Sequence, residues 1–206
     1  MNKIASFISY LFHPILMPLY LGILVLGHYR VLASGDINYN KQLLTLIFTF
    51  LPAIIFPLMY IALLKHYKII SSFKMLERKE RTLPLIFCIS LYGYISYALL
   101  NGSYSVPKSL SLIFLVTCIS MLLALMINTK LKVSLHSIGV SASASYIYHL
   151  LPYSLFDLTP IFITAIILLG LVGWARLQLK AHQENQVFIG YLVGWYCASA
   201  ILLWFF

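Results

Sequence analysis

Two histidines, each with cationic side chains nearby in separate stretches of chain, hold most of the reactive chemistry in this sequence. In WARLQLKAHQENQVFIG, residues 174–190, Arg176 precedes His182 with five residues between them, and Gln186 follows four residues later. Side chains four apart in a helix are neighbours, so the Gln186 amide can orient the His182 ring. In KVSLHSIG, residues 132–139, Ser134 suits the N-cap of a helix whose first turn contains His136 and Ser137. The unpaired amides and dipole of such a helix start attract anions, and an imidazole there can protonate a departing oxygen. In KMLERKERTLP, residues 74–84, the cations Lys74, Arg78, Lys79 and Arg81 gather ahead of Pro84.

Each run also has an ordinary reading. A basic loop in a membrane protein is commonly an interfacial anchor, Ser134 and His136 make a plain cap with an interfacial histidine, and Lys180 with Glu184 forms an exposed ion pair. Taken together, the runs supply the parts of a phosphate site. Arginines hold equatorial oxygens, a helix start offers amides, one histidine attacks phosphorus and another protonates the leaving alkoxide. With five acids and three cysteines in the chain, neither an acidic metal cluster nor a cysteine-rich metal site is expected, and the phosphate chemistry calls for no metal or cofactor.

The elements that must position these loops are membrane helices. Of 206 residues, 62% are hydrophobic and 9% are charged, and the mean hydropathy is +0.94. Soluble domains carry about 25% charged residues, so this is the composition of an integral membrane protein. Spans of roughly 20 apolar residues cross the hydrocarbon core, and seven candidates lie at 4–27, 43–64, 83–100, 110–127, 136–151, 161–174 and 187–206. They predict one all-α domain over 1–206, a polytopic transmembrane bundle of six to seven spans with short loops, the site-bearing part lying over 74–194. The fifth span, SIGVSASASYIYHLL, is short and rich in small residues, which suits the middle of the bundle better than contact with lipid.

Pro14, Pro18, Pro52 and Pro57 fall inside the first two spans, where they kink or loosen a helix. Gly190 and Gly194, four apart, read as helix packing. Cys88, Cys118 and Cys197 read as small apolar packing residues, and His13 as a hydrogen-bonded structural group. The N-terminal stretch lacks a clear cleavage site and reads as a retained span. No internal repeat is evident, which weighs against an inverted-repeat transporter.

A net charge of +9 points to anionic partners, either lipid headgroups or a phosphorylated substrate, and so apolar a chain is no nucleic-acid binder. With seven spans, eleven of the fourteen Lys and Arg residues share one membrane face, which the positive-inside rule makes cytoplasmic, along with the N-terminus. The C-terminus is then outside. Setting aside Arg78, Lys79, Arg81 and Arg176 leaves seven cations against three, with the same orientation.

The order of the three runs resembles the type 2 phosphatidic acid phosphatase superfamily. Its pattern is a Lys/Arg motif ending near Pro, then Pro-Ser-Gly-His, then Ser-Arg, five residues, His, three residues and Asp. Here Lys74 with Arg81, or the denser ERKER run with Pro84 three beyond Arg81, stands for the first motif, Val133 to His136 for the second, and Arg176, His182 and Gln186 for the third. RKER-x-x-P with GWARLQLKAHQENQ is similar to short membrane proteins of bacteria placed in that superfamily, which implies an inner membrane. The resemblance covers residues 74–194, and its third motif is the most specific. It implies a phosphatase acting on a lipid phosphate or prenyl diphosphate whose tail enters from the bilayer. It also implies His182 as nucleophile, His136 as general acid, Arg81, Arg176 and one of Arg78, Lys79 or Lys74 as phosphate clamps, and Ser134 beside the phosphate.

The sequence departs from the pattern. Gln186 stands in place of Asp, Val133 and Leu135 in place of Pro and Gly, and Ala175 in place of Ser. A neutral amide orients the ring without stabilising imidazolium, and the analogous loss in a serine protease triad costs about four orders of magnitude. The alternative is therefore a non-catalytic relative that binds or transports a phosphorylated lipid or small anion. The membrane-crossing hairpin between the first two motifs is a further departure, and bacterial members commonly face the periplasm, whereas the charges here place the site on the cytoplasmic side.

Overall fold

Proline and capping chemistry set where the helices of this chain break. The computed structural model describes residues 2–32, 39–73, 75, 77–102, 108–154 and 156–205. Its α-helices are α1 (Asn2–Leu11), α2 (Met17–Leu32), α3 (Tyr39–His66), α4 (Thr82–Asn101), α5 (Lys108–Asn128), α6 (Leu135–Leu150), α7 (Thr159–Gln178) and α8 (Glu184–Phe205). No strand occurs among the described residues, and six helical stretches are long and apolar enough to cross a membrane. The expected all-α bundle is the observed architecture.

The first expected span is not one helix. Pro14 disfavours helical backbone in the residue before it, and His13 is extended at φ −67° and ψ 137°. The chain turns there through a 3-10 segment, Pro14–Leu16, so α1 leaves the line of α2 and packs along the end of α7. Pro52 and Pro57, by contrast, lie inside the unbroken helix α3. Pro57 has no N–H for the carbonyl of Ala53 four residues earlier, and the buried Tyr92 hydroxyl of α4 donates to that carbonyl at 3.1 Å. A neighbouring helix supplies the donor that proline withdraws.

Helix α6 occupies the middle of the bundle, as its composition predicts. Sixteen residues reach only about 24 Å, yet ten of them are buried, including Ser137, Ser141, Ala144 and Ser145. It runs parallel to α8, its closest neighbour, with Ser134 beside Gln186 and Ser145 bonded to Ser199. Close approach is possible because the facing positions are glycine. A Cβ on Gly190 would lie 2.8 Å from the Ser134 carbonyl, and one on Gly194 would lie 2.3 Å from that of Ile138.

At the other end of the bundle, Asp157 Oδ1 accepts from the Thr159 amide at 2.9 Å at the entry to α7. The larger apolar core joins Phe50, Tyr92, Phe114, Tyr146 and Leu202 across α3, α4, α5, α6 and α8.

Two helices that end at the charged face stop in the same way. Lys68 after α3 and Lys180 after α7 adopt positive φ, 57° and 51°. Ile69 N donates to Leu64 O and Ala181 N to Arg176 O, the long bond of a Schellman cap. In α7 this cap turns the chain directly back towards His182.

Candidate functional site

The loop before α4, the turn between α5 and α6 and the turn between α7 and α8 meet at one end of the bundle. Backbone and side-chain hydrogen bonds tie them together. Arg78 donates through Nη1 to the carbonyls of Thr129 at 3.2 Å and Lys130 at 2.5 Å, while Asn128 returns a bond to the Arg78 carbonyl at 2.8 Å. Arg81 donates to Val133 O at 3.1 Å and Met75 O at 3.3 Å. Ser134 N donates to Gln186 O at 3.2 Å. Two imidazoles and two guanidiniums from distant segments are thereby gathered.

His182 sits two residues before α8 rather than inside it, because Gln183 is the cap: the amides of Gln186 and Val187 bond to its carbonyl. Gln186, three residues on, reaches back to accept from the Gln183 amide at 3.4 Å, one of the two bonds of a capping box. The same Oε1 lies 3.0 Å from His182 Nδ1, and the Lys132 carbonyl lies 3.2 Å from that nitrogen. Both neighbours are acceptors, so Nδ1 carries the proton and Nε2 is left with its lone pair. The orienting contact expected from the spacing is present, made through the cap instead of along a helical face.

His182 is 8% exposed, and burial pushes its imidazole down to about 4; the Gln186 bond opposes that shift, and Arg81, Arg176 and Lys132 reinforce it. The ring is neutral at pH 7. Beside it lies an open bowl of about 350 Å³ lined by Lys132, Leu177, Lys180, Gln183 and Gln186. Lys132 is itself shifted downward by burial and by the two arginines, with Glu80 opposing.

Arg81 is buried and donates to the two carbonyls above. Arg176, in the last turn of α7, donates through Nη1 to Ser9 Oγ at 2.5 Å, and its buried Nε has no hydrogen-bond partner among the described residues. Among the described residues neither guanidinium hydrogen-bonds a carboxylate. The buried Arg81 and the half-buried Arg176, with no acid bonded to either among the described residues, are an arrangement able to hold an anion.

His136 lies in the first turn of α6, near enough to His182 and Arg176 to interact electrostatically. Its Nε2 is 3.1 Å from the Ser9 carbonyl and 3.3 Å from Ser9 Oγ. The carbonyl only accepts, so the proton is on Nε2. The His13 ring meets it edge to face at 5.1 Å, with His13 Nδ1 accepting from Ile15 N at 3.3 Å. His13 is thus hydrogen-bonded structure, as the sequence suggests, and it also borders the site.

The other expected residues divide. Ser134 caps α6, its Oγ accepting from Ser137 N at 3.3 Å and from Ser137 Oγ at 2.9 Å, so it shapes the helix start. Arg78 is committed to backbone carbonyls, Lys79 is exposed, and Lys74 lies outside the described residues. Ser9 was missed. Its signal was the small pair Ala5 and Ser9, four apart in an otherwise bulky α1.

No three His, Cys, Asp or Glu side chains among the described residues gather as metal ligands. Comparison with known proteins gives no family model, no curated protein and no solved structure that matches this chain.

Proposed function

We propose that this chain is an integral membrane phosphatase that hydrolyses a lipid phosphate or prenyl diphosphate without a metal, through a phosphohistidine. The observation that carries the reading is His182: Nδ1–H is held by Lys132 O and Gln186, leaving a neutral Nε2 near the buried Arg81 and half-buried Arg176 guanidiniums. In the proposed reaction Nε2 attacks phosphorus and the bond from phosphorus to the lipid oxygen breaks. Arg81 and Arg176 hold the equatorial oxygens, and His136, protonated on both nitrogens when the anionic substrate is bound, gives its Nε2 proton to the departing alkoxide. Water then cleaves the nitrogen–phosphorus bond, giving a proton back to His136, and restores His182 as phosphate leaves. The positive-inside balance supports a cytoplasmic site in a bacterial inner membrane, with the C-terminus on the other side.

Purified protein offered phosphatidate, phosphatidylglycerophosphate, lipid A and undecaprenyl diphosphate is expected to release phosphate from at least one. Release persists under chelator and is abolished in His182→Ala. Full turnover by His182→Ala would remove the mechanism.

One observation favours a second reading. His136 Nε2–H is already bonded to Ser9, and Gln186 is neutral, which suits a relative that binds or moves a phosphorylated lipid or small anion without hydrolysis. Saturable binding of the same panel with no phosphate release, in both the unaltered chain and Gln186→Asp, decides for that reading.

A further inference from the structure

Ser9 belongs to none of the three basic or histidine runs, yet its hydroxyl is the one hydrogen-bond partner of Arg176 among the described residues. A guanidinium grips a phosphoryl group best through two parallel N–H donors. Ser9 takes Nη1, at one corner of the plane. The opposite edge, Nε with Nη2, carries no hydrogen bond to a described residue, and Nε is buried. The hydroxyl thus fixes the rotation of the group and leaves its bidentate edge unused.

The placement of Ser9 follows from the break after α1. In a continuous helix the His13 amide would bond to the Ser9 carbonyl. Here it turns to the Tyr10 carbonyl at 3.3 Å, and Pro14 has no amide to offer. The freed carbonyl takes the Nε2 proton of His136 at 3.1 Å. Ser9 is 7% exposed and Ala5 is fully buried, so small residues let α1 lie close to α7, while Phe7 and Tyr10 face outward. One residue thereby joins α1 to α7 through its hydroxyl and to α6 through its carbonyl.

We propose that Ser9 is a positioning residue of the anion site: it pins Nη1 of Arg176 so that the Nε edge is presented to two oxygens of a phosphoryl group. The N-terminal helix is then a fourth contributor to a site that the sequence pattern draws from three runs. The role rests on the reading above only in naming phosphate as the anion; the anchoring of Arg176 stands apart from hydrolysis.

The test uses the full chain in detergent with inorganic phosphate as probe, and Ser9→Ala, Ser9→Thr and Arg176→Lys as variants. Ser9→Ala is expected to weaken phosphate binding roughly tenfold, the size of one charge-assisted hydrogen bond. Ser9→Thr keeps the affinity within about twofold, and Ser9→Ala costs nothing further in an Arg176→Lys background. Nitrogen-15 spectra of the Arg176 guanidinium are expected to show hindered rotation in the unaltered chain and free rotation in Ser9→Ala. Unchanged or tighter phosphate binding in Ser9→Ala overturns the proposal, as does an equal loss in the Arg176→Lys background. If the unaltered chain binds no phosphate, the phosphoryl reading fails, and the guanidinium spectra alone decide: rotation freed by Ser9→Ala upholds the anchoring, and rotation alike in both refutes it.

Discussion

His182 Nδ1 lies 3.0 Å from Oε1 of Gln186, a neutral amide where a carboxylate would add a charge. Gln186 does two things at once, since the same oxygen also receives the Gln183 amide at the start of α8. An aspartate side chain is one methylene shorter but retains an acceptor for both donors and adds a charge. Gln186→Asp is therefore expected to raise phosphate release at least tenfold, within the roughly four orders that the charge at the analogous position of a serine protease triad is worth. Gln186→Leu loses both the ring contact and the cap and should lower release by a similar factor. Equal rates for the aspartate and leucine variants would show that Gln186 does not act on His182.

The acidic limb of the pH profile should lie unusually low. His182 is held down to about 4, so its Nε2 keeps a lone pair through the range in which an ordinary histidine, near 6.5, becomes charged. In kcat/KM, which reports the free enzyme, loss of activity assigned to this ring is expected near pH 4. Stability follows the same sign. Between 6.5 and about 4 the unfolded chain binds a proton at this residue and the native protein does not, so the stability His182 contributes above 6.5 is lost as pH falls towards 4. His182→Gln should flatten that slope. An NMR titration placing the ring near 6.5 would contradict the burial argument.

Arg78 and Arg81 lie three residues apart but should respond differently to removal. Arg78 spends Nη1 on the carbonyls of Thr129 and Lys130 and fastens the turn between α5 and α6. Arg81 is buried among the cations that surround His182. Arg78→Ala is expected to keep phosphate affinity within about twofold while losing about 1–3 kcal/mol of stability, as for hydrogen bonds made by charged groups. Arg81→Ala should lower phosphate affinity at least tenfold. Calorimetric titration with inorganic phosphate and thermal unfolding of both variants separate the two roles, and a reversed pattern would exchange the assignments.

The parts of this architecture that depend on residue type alone were readable from the sequence. Small residues placed α6 in the centre, Ser134 gave its cap, and a spacing of four paired His182 with Gln186. Side-chain direction was not readable. Nothing in the spacing of ERKER says that Arg78 turns to a neighbouring turn while Arg81 points inward, because that follows from where the carbonyls of Thr129, Lys130 and Val133 come to rest. The break at His13 had a local signal in Pro14, read only as a kink. Its consequence, a carbonyl of Ser9 delivered to His136 127 residues away, depends on tertiary packing that no local pattern encodes.

Packing between α6 and α8 should be the least forgiving feature of the fold. A methyl group on Gly194 would lie 2.1 Å from Ser141 Oγ, 2.3 Å from Ile138 O and 2.9 Å from Ala142 N. The serine side chain can rotate away, but the other two atoms are backbone, so the helices themselves must separate. Gly194→Ala is expected to cost about 1–3 kcal/mol or more, and Ser141→Ala should not rescue it. Gly170 in α7 is the internal control, since a methyl there meets nothing within 4 Å, and alanine should be neutral or gain up to about 1 kcal/mol through helix propensity. Thermal unfolding in one detergent compares the variants directly. The starts of α6 and α8 carry His136 and Gln186, so separation at Gly194 should also weaken phosphate binding, whereas Gly170→Ala leaves it unchanged. Equal stability of the two alanine variants would mean that α6 and α8 are not in the close contact on which the geometry around His182 depends.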